Sequence, residues 1–338
     1  GAMSPQMWGV NDYEVLDPQT AADKKYQQFL STLHPAIVRI HHADLADKWT
    51  NAAARDWDVA KIKAGFAAST GYGDAKIMLN LAGWPKWLSS ETILPPDKED
   101  EFAALCGRLA RVMRDEVRQP IAYWELLNEN QPAYDKAGKL NDLWRLWNKM
   151  AAAIKQAEPQ AKVGGPAFPY PKEKWLQSFL QNCAARADFV TWHTYAIGDI
   201  YASNETMFAK SRNINLYADA VRDAARSYQR GRKLELFLTE YNIKWTWEPI
   251  ERRQGNNLGA VFQAGVLRRV ALTGIDGVML WHAKGNAYGL MDDANHLRPP
   301  AHLYQWGRKY LTGRIARHSS GDEAKLELLP VMRGDRTK

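Results

Sequence analysis

The sequence predicts an α/β fold, a (β/α)8 TIM barrel followed by a small C-terminal β appendage. Three observations support this prediction. The chain has 338 residues, which lies within the usual size range of such barrels. Short apolar segments alternate with longer helical patterns about eight times, which indicates consecutive βα units. The apolar segments lack a regular polar alternation, as expected for parallel strands that are buried on both faces.

The strand candidates are short and rich in Val, Ile, Leu or Trp. They are Met7–Asn11, Ile37–His41, Ile77–Ala82, Ala122–Leu127, Ala161–Gly165, Phe189–His193, Leu234–Glu240 and Gly277–Trp281. The first helix is expected to begin at Pro18, with Asp17 as its N-cap, and to run toward His34. A later one begins in the acidic stretch 97–101, where the helix dipole favours carboxylates. Further helices are predicted at Leu140–Ala157, Lys172–Arg186, Ile214–Tyr228 and Asn256–Thr273.

The predicted barrel occupies residues 6–313. Residues 1–5 begin with Gly1-Ala2-Met3, which is typical of the remnant of a cleaved expression tag, and we set them apart from the fold. Residues 314–338 contain the strand-like stretch Leu326–Val331 after a Ser-Ser-Gly-Asp turn. We interpret this last segment as a partial β-strand appendage.

Composition excludes several classes of protein. Hydrophobic residues make up 46% of the chain and charged residues 25%, which is typical of a folded domain and not of a disordered one. Two cysteines are too few for a disulfide scaffold. No apolar run reaches the length of a membrane span. The sequence contains no HExxH, paired CxxC or phosphate-binding loop motif, so we predict neither a metal nor an organic cofactor.

The net charge of +7 leaves two interpretations open. It suits an anionic partner such as nucleic acid, acidic lipid or an acidic polysaccharide. The basic residues are scattered, however, and no nucleic-acid recognition motif is present, so a solvated basic surface is favoured. A nucleic-acid-binding protein would instead show binding that weakens steeply with salt. The 14 tryptophans likewise suit a sugar-binding cleft, although composition alone favours extra core aromatics.

Functional residues of TIM barrels lie at the C-terminal ends of the strands. Glu129 follows the fourth predicted strand and Glu240 ends the seventh, and polar and aromatic residues accompany both. Two such carboxylates match the needs of glycoside hydrolysis, in which one protonates the leaving oxygen and the other, ionised, attacks or stabilises the reacting carbon. The first role requires a raised pKa. Carboxyls about 5–5.5 Å apart predict retention of configuration, and about 6.5–9.5 Å predict inversion. Glu125 is interpreted as a barrel-interior charge paired with an inward cation, for which Arg39 is a candidate.

Several motifs in this order resemble clan A retaining glycoside hydrolases, and more narrowly glycoside hydrolase family 39. They are Arg39-Ile40-His41, Gly83–Leu88, Asn128-Glu129, His193-Thr194-Tyr195, Thr239-Glu240, Trp281, Tyr288–Asp292 and Arg298-Pro299-Pro300. The resemblance spans nearly the whole chain, and Asn130 departs from it where many members have proline. Within the family, a compact barrel with a reduced appendage is most similar to bacterial hydrolases of biofilm exopolysaccharide, such as the Psl-type enzymes. The family's β-xylosidases and α-L-iduronidases usually carry a larger β-sandwich.

The resemblance implies a role for each matching residue. Glu129 would be the general acid/base and Glu240 the nucleophile. Asn128 would bond the sugar hydroxyl next to the reacting carbon. Tyr195 and Arg39 would hold Glu240 ionised and oriented, which is physically sensible because a cation and hydrogen bonds both favour a charged carboxylate.

The remaining site candidates are aromatic. By the same resemblance, His193 would contact the sugar or orient a carboxylate, Trp281 would form the floor of the reacting subsite, and Trp84 would form a wall. His41 is a candidate substrate-binding residue, although it and the adjacent His42 point in different directions and at least one is expected to be structural or exposed. Trp245 and Trp247 follow the seventh strand and could form either an outer sugar platform or a small loop core. The segments Ile197–Asn215 and Lys244–Gln254 are expected to rim the cleft.

The leading hypothesis is a retaining glycoside hydrolase that cuts a polysaccharide internally, with a bacterial exopolysaccharide as the expected substrate. We expect a monomer located in the periplasm or outside the cell, with no nucleic-acid partner. The nearest alternative is an exo-acting β-xylosidase-like enzyme, which would have a blind pocket at the barrel mouth. The alternative of another class is a non-catalytic carbohydrate-binding scaffold of a polysaccharide synthesis complex.

Overall fold

A computed structural model describes residues 4–211, 213–228, 233–316 and 327–332. Eight parallel strands close into a barrel in which each strand pairs with its sequence neighbours and the last pairs with the first. This arrangement confirms the predicted (β/α)8 TIM barrel. The strands are β1 (Gly9–Asp12), β2 (Ile37–Ile40), β3 (Lys76–Leu81), β4 (Tyr123–Leu126), β5 (Val163–Phe168), β6 (Phe189–Ile197), β7 (Glu235–Lys244) and β8 (Gly277–Leu280).

Helices surround the barrel in the connections between strands. In the described ranges they are α1 (Pro18–Ala21), α2 (Lys24–Leu33), α3 (Leu45–Trp49), α4 (Val59–Ala68), α5 (Glu99–Arg111), α6 (Gln131–Lys136), α7 (Leu140–Ala157), α8 (Glu173–Cys183), α9 (Asn204–Ser211), α10 (Asn213–Arg226), α11 (Asn257–Thr273) and α12 (Pro299–Tyr310). A short hairpin, Thr50–Asn51 with Asp56–Trp57, lies between α3 and α4. No helix in the described ranges is both long and apolar enough to cross a membrane.

The prediction of one helix from Pro18 toward His34 is wrong, because two helices occupy this stretch. α1 ends at Ala21, and Asp23 adopts an extended backbone conformation before α2. The Asp23 carboxylate accepts hydrogen bonds from the backbone N–H groups of Lys25 and Tyr26. These bonds satisfy the first free donors of a new helix, which is the role of an N-cap.

The barrel interior is built in layers. The bottom layer is apolar and consists of one inward side chain from each of six strands: Ile37, Met78, Tyr123, Phe189, Phe237 and Met279. Alternate residues of a strand face the same side, so the residues two positions further along also point inward. In order, these are Arg39, Asn80, Glu125, Thr191, Thr239 and Trp281. The apolar layer closes the bottom of the barrel, and the layer above it, polar except for Trp281, lies beneath the mouth.

A register shift in β7 changes which residues face inward near the mouth. Trp192 and His193 are consecutive in β6, yet they pair with Leu238 and Glu240 of β7. The pairing of β8 with β7 shifts by one residue at the same place. One extra residue in β7 is thus accommodated as a bulge, a feature that can re-aim a side chain next to an active site. Because of it, Glu240 reaches the barrel interior although its neighbour Thr239 belongs to the inward layer.

The predicted C-terminal appendage lies largely outside the described residues. Within them, Arg314–Ile315 pairs antiparallel with Val331–Met332. The division into an appendage at 314–338 and a leader at 1–5 therefore stays a prediction. Cys106 and Cys183 are both buried and free.

Candidate active site

Glu240 lies nearly buried at the mouth, with partners on both carboxylate oxygens. Its Oε1 accepts a hydrogen bond from Nη1 of Arg39 at 2.8 Å, and its Oε2 accepts one from the Tyr195 hydroxyl, also at 2.8 Å. The side chain is 8% exposed. A guanidinium and a phenol at these distances stabilise the negative charge and fix the orientation of the carboxylate. These contacts agree with the roles that the sequence resemblance implies for Arg39 and Tyr195.

Arg39 connects four residues of the inner mouth. Its Nε donates to Oε2 of Glu125 at 2.6 Å, and Nη1 donates to Oδ1 of Asn11 at 2.8 Å as well as to Glu240. Nη2 donates to Oδ1 of Asn128 at 2.7 Å. Burial lowers the pKa of Arg39, but Glu125 and Glu240 raise it by more, so the guanidinium stays charged. The predicted ion pair between Arg39 and Glu125 is present, and both of its side chains are fully buried.

We predict that Arg39→Met lowers the free energy of unfolding by about 3–5 kcal/mol, because it leaves the buried Glu125 carboxylate without its cation and, among the described residues, with only the Asn80 amide as a donor. Urea unfolding measures the change. The double variant Arg39→Met with Glu125→Leu is expected to recover part of the loss, because it removes both charges. Arg108→Met is the matched control, since Arg108 pairs with Asp56 where both side chains are partly exposed. A loss no larger in Arg39→Met than in this control would contradict the prediction.

Glu129 lies opposite Glu240, just beyond β4. Leu127 and Glu129 both have positive φ angles, 70° and 55°, which non-glycine residues seldom adopt. The Glu129 N–H donates to the carbonyl of Ala167, so this turn is hydrogen-bonded to the adjacent strand β5. The side chain is 41% exposed, so one side of the carboxyl faces the cavity. Such unfavourable backbone conformations concentrate at functional sites.

His193 lies between the two carboxylates. Its Nδ1 is 2.6 Å from Oε1 of Glu129, and its Nε2 is 3.5 Å from Oε1 of Glu240. The imidazole is completely buried, and its Nε2 makes no hydrogen bond with any residue that the structure describes. The contact with Glu129 is consistent with a role in orienting a carboxylate, and the two roles considered from the sequence stay predictions.

The pKa of Glu129 differs from the sequence expectation of a raised value. Burial raises it, but the hydrogen bond and charge of His193, together with the charge of Arg39, lower it by more, so the net shift is downward. A carboxyl with a lowered pKa keeps its proton only at acidic pH. Proton donation by Glu129 is therefore expected to be favoured on the acidic side.

His193→Asn tests this contact. Without the imidazole the pKa of Glu129 should rise, so Glu129 should hold its proton to higher pH. The alkaline limb of the kcat/KM profile reports the essential acid of the free enzyme and should move to higher pH. The measurement is kcat/KM across pH for the wild type and the variant, with circular dichroism to check folding. An unmoved alkaline limb would show that His193 does not set the protonation of Glu129.

The two carboxylates are close together. One oxygen of Glu129 and one of Glu240 lie within 4.8 Å of each other, and a ring nitrogen of His193 lies within the same distance of both. This upper limit on the distance between the two oxygens fits a retaining pair and lies below the range for an inverting pair.

The same three side chains form a cluster that could hold a metal ion. The guanidinium of Arg39 already donates to the Glu240 oxygen, and His193 already bonds Glu129. These contacts supply the positive charge and the hydrogen bonds that the carboxylates need. The arrangement thus fits proton transfer and nucleophilic attack better than metal ligation.

A cavity of about 800 Å³ opens above the carboxylates. Its lining combines Asn128, Glu129 and Glu240 with many aromatic side chains. The aromatic members are Tyr13, His41, His42, Tyr170, Tyr195, Tyr217, Trp245, Trp247, Trp281 and Tyr288. Pockets of this volume and apolar character, with a few convergent polar groups, are typical of small-molecule and glycan sites.

The aromatic lining has an inner part that contains Trp281 and an outer part that contains Trp245 and Trp247, the two tryptophans after β7. Trp281 is 8% exposed, and the ring of Trp247 packs edge-on against it at a centroid distance of 6.3 Å. Trp245 is 57% exposed and packs on Gly198, where an added Cβ would come within 2.2 Å of the indole. Trp245 and Trp247 both lie in the cavity lining. This placement agrees with the interpretation of these two residues as an outer sugar platform.

The structure brings together most of the site residues predicted from the sequence. His41 lines the cavity, and its Nδ1 bonds Oδ1 of Asn80 at 2.7 Å. Trp84 is the exception, because among the described residues it neither lines the cavity nor bonds one of the two carboxylates, as the buried Arg39 and His193 do. Its indole N–H donates to the carbonyl of Glu91, and its ring packs edge-on against Phe102. Trp84 therefore lies in the connection between β3 and α5, where its ring packs against α5.

Four lining tyrosines were not singled out as site residues from the sequence. They are Tyr13, Tyr170, Tyr217 and Tyr288. Tyr13 and Tyr170 each follow the C-terminal end of a strand, so the strand-end rule could have found them. Tyr217 lies on α10, where no strand-end signal exists. Of the two predicted rim segments, Lys244–Gln254 contributes Trp245 and Trp247 to the cavity lining. The segment Ile197–Asn215 contributes no described lining residue, but its Gly198 packs against Trp245.

Comparison with known proteins decides the family. The family model described as "Glycosyl hydrolases family 39" matches residues 101–279, more than half of the chain. The chain belongs to glycosyl hydrolase family 39. The matched region contains β4 to β7 and most of β8, and with them both carboxylates and Tyr195, whereas Arg39 on β2 precedes it.

The chain is also similar to individual β-xylosidases. A β-xylosidase of Caldicellulosiruptor saccharolyticus is 27% identical over 188 residues, which are 49% of this chain and 37% of that protein. A β-xylosidase of Geobacillus stearothermophilus is 27% identical over 153 residues, 43% of this chain and 30% of that protein. The matches thus span about a third of these relatives. The crystal structure of a monomeric β-xylosidase from Caulobacter crescentus CB15 has the same fold, with a TM-score of 0.71 and 20% identity over 93% of this chain and 70% of that one.

Proposed function

We propose that the protein is a retaining glycoside hydrolase that cleaves a polysaccharide internally. One observation carries the proposal: the Glu129 and Glu240 carboxylates share a cavity with oxygens less than 4.8 Å apart, and Glu240 is held by Arg39 and Tyr195. The reaction proceeds by double displacement, with Glu129 as acid/base and Glu240 as nucleophile.

In the first step, a Glu240 oxygen attacks the anomeric carbon while Glu129 protonates the leaving glycosidic oxygen. The C–O bond to the leaving sugar breaks, and an ester bond to Glu240 forms. In the second step, Glu129, now ionised, accepts a proton from water, and the water oxygen displaces Glu240 from the same carbon. Asn128 is positioned by Arg39 next to Glu129, where its amide can bond the hydroxyl beside the reacting carbon.

The outer aromatic residues support internal cleavage. Tyr170, Tyr217, Trp245 and Trp247 line the cavity and are between 36% and 57% exposed. They therefore extend the aromatic surface outward from Trp281, which is nearly buried. Flat, exposed rings can pack on further sugar units of a chain. We propose a bacterial exopolysaccharide as the polymer, and a monomeric protein acting in the periplasm or outside the cell.

An exo-acting β-xylosidase-like enzyme is a second candidate function. The observation that favours it is the similarity to β-xylosidases in both sequence and fold. Such an enzyme would release monomers from chain ends and from aryl glycosides. A non-catalytic binding scaffold is disfavoured because both carboxylates and their orienting partners are in place.

Product analysis on a panel of polysaccharides separates these functions. The panel contains plant xylans, glucans, mannans and extracted bacterial exopolysaccharides, and both reducing ends and product sizes are measured. The wild type runs beside Glu240→Gln. Oligosaccharides that are absent with the variant support the proposed internal cleavage. Monomers alone would favour the exo-acting alternative, and tight binding without any hydrolysis would favour the scaffold.

A further inference from the structure

The cavity contrasts in charge with the rest of the chain. The chain carries a net charge of +7, yet among the described residues no lysine or arginine lines the cavity. The acidic side chains among the described lining residues are Glu129 and Glu240. The remaining lining is aromatic, or consists of Ala43, Asn128, Pro169 and Thr194.

The guanidinium that bonds Glu240 is buried, and four of its hydrogen bonds go to groups of the protein. Arg39 lies buried below the cavity floor and donates to Glu125, Asn11, Glu240 and Asn128. An anionic ligand could reach it only by displacing one of these partners. Two of these partners are themselves carboxylates, so its charge is already compensated twice.

The two lining histidines do not supply a positive charge at neutral pH. Burial and the neighbouring charge of Arg39 hold the pKa of His41 well below its usual range. Partial burial and the charge of Lys48 lower the pKa of His42. His41 also bonds the Asn80 side chain through Nδ1, so it is fixed in place as a neutral ring.

An ionised carboxylate on a sugar in this cavity would therefore lose water without gaining a cation. It would also lie near Glu240, which must be ionised to attack the anomeric carbon and therefore carries the same sign of charge. Burying an unpaired charge is costly, and like charges at short distance repel most strongly where water is excluded. A neutral sugar meets neither penalty and can pack its apolar face on the tryptophans.

We propose that this cavity selects uncharged sugar units and rejects uronic acids. The inference rests on the proposed function, which places the sugar in this cavity. The substrate class that it names is a neutral glycan, built of pentoses or of hexoses that carry a primary alcohol or a deoxy group. It also implies that the basic surface of the protein does not take part in recognising the sugar at the cleavage site. Binding at the cavity should therefore depend little on salt.

The test uses pairs of oligosaccharides that differ only in charge. Uronic-acid-containing oligosaccharides are compared before and after chemical reduction of their carboxylates to primary alcohols. Calorimetry at pH 7 measures their binding to the wild type. We expect at least tenfold tighter binding of a reduced member. Equal or tighter binding of the acidic members overturns the inference, and so does the absence of binding to every member of every pair.

A charge introduced into the cavity provides the reciprocal test. Ala43 is exposed and lines the cavity, so Ala43→Arg places a cation there. Ala52→Arg adds the same charge at an exposed position that is not among the lining residues. Ala43→Arg should narrow the preference for reduced oligosaccharides by at least threefold, and Ala52→Arg should leave it unchanged. An equal effect of both variants would attribute the preference to overall charge and contradict the inference.

Binding and hydrolysis distinguish the two proposals. Hydrolysis of the same pairs is followed through reducing ends. Charge selection in binding without hydrolysis would count against the proposed hydrolase and leave the charge inference supported. Faster hydrolysis of an acidic member than of its reduced counterpart would support the hydrolase and overturn the charge inference.

Discussion

Glu240→Gln is expected to lower kcat by about 10⁴- to 10⁶-fold, the range seen when a nucleophile or a group that acts with it is removed from a covalent enzyme. The amide is almost isosteric, so the fold should persist. It is a far weaker nucleophile, however, and it cannot balance the charge of Arg39, which donates to Oε1 at 2.8 Å. The measurement is the initial rate of reducing-end release from the polymer identified in the panel.

Glu205→Gln is a matched control for this variant. Glu205 is exposed in the first turn of α9 and is not among the cavity-lining residues. It should retain the wild-type rate. A Glu240→Gln protein that is folded and keeps more than a tenth of the wild-type rate would contradict the assignment of Glu240 as nucleophile. Both variants are checked by thermal unfolding, so that loss of fold is not mistaken for loss of chemistry.

Glu129→Gln carries the second largest expected effect. Removing a general acid typically costs about 10²- to 10⁴-fold in rate. The rate of the first step should decrease if the leaving group needs a proton, and should change little if it does not. Natural glycosidic oxygens need one, whereas an aryl leaving group with a low pKa does not.

The measurement compares Glu129→Gln on two substrates of the same sugar. On an oligosaccharide, kcat/KM should fall within the range expected for loss of an acid. On a dinitrophenyl glycoside, kcat/KM should change little, while kcat falls because the second step still needs the base. Equal losses of kcat/KM on both substrates would mean that Glu129 does not donate the proton.

The strands of the barrel could be predicted from the sequence because burial on both faces leaves a simple apolar signal. All eight candidates overlap a strand of the structure, and α7 has the predicted bounds. The break between α1 and α2 was missed because the helical periodicity continues through it. Only the local hydrogen bonds of the Asp23 side chain separate the two helices.

The catalytic candidates could be predicted, but their orientation could not. Strict alternation along β7 would turn Glu240 away from the inward Thr239, and the bulge that corrects this depends on pairing with both neighbouring strands. The lowered pKa of Glu129 likewise follows from the position of His193, 64 residues away in sequence. Tyr217 on α10 and Trp84 near α5 show the same limit, since their positions depend on helix packing and not on local pattern.

The most direct test of the account is to trap and locate the covalent intermediate. A 2-deoxy-2-fluoro glycoside of the preferred sugar, with a good leaving group, slows the second step more than the first, so a glycosyl-enzyme should accumulate. Intact mass should increase by one fluorosugar, and peptide mapping should place it on Glu240. Wild-type product should also appear first in the anomeric configuration of the bond cleaved. An adduct on another residue, or first product of inverted configuration, would contradict the double displacement that these residues are proposed to perform.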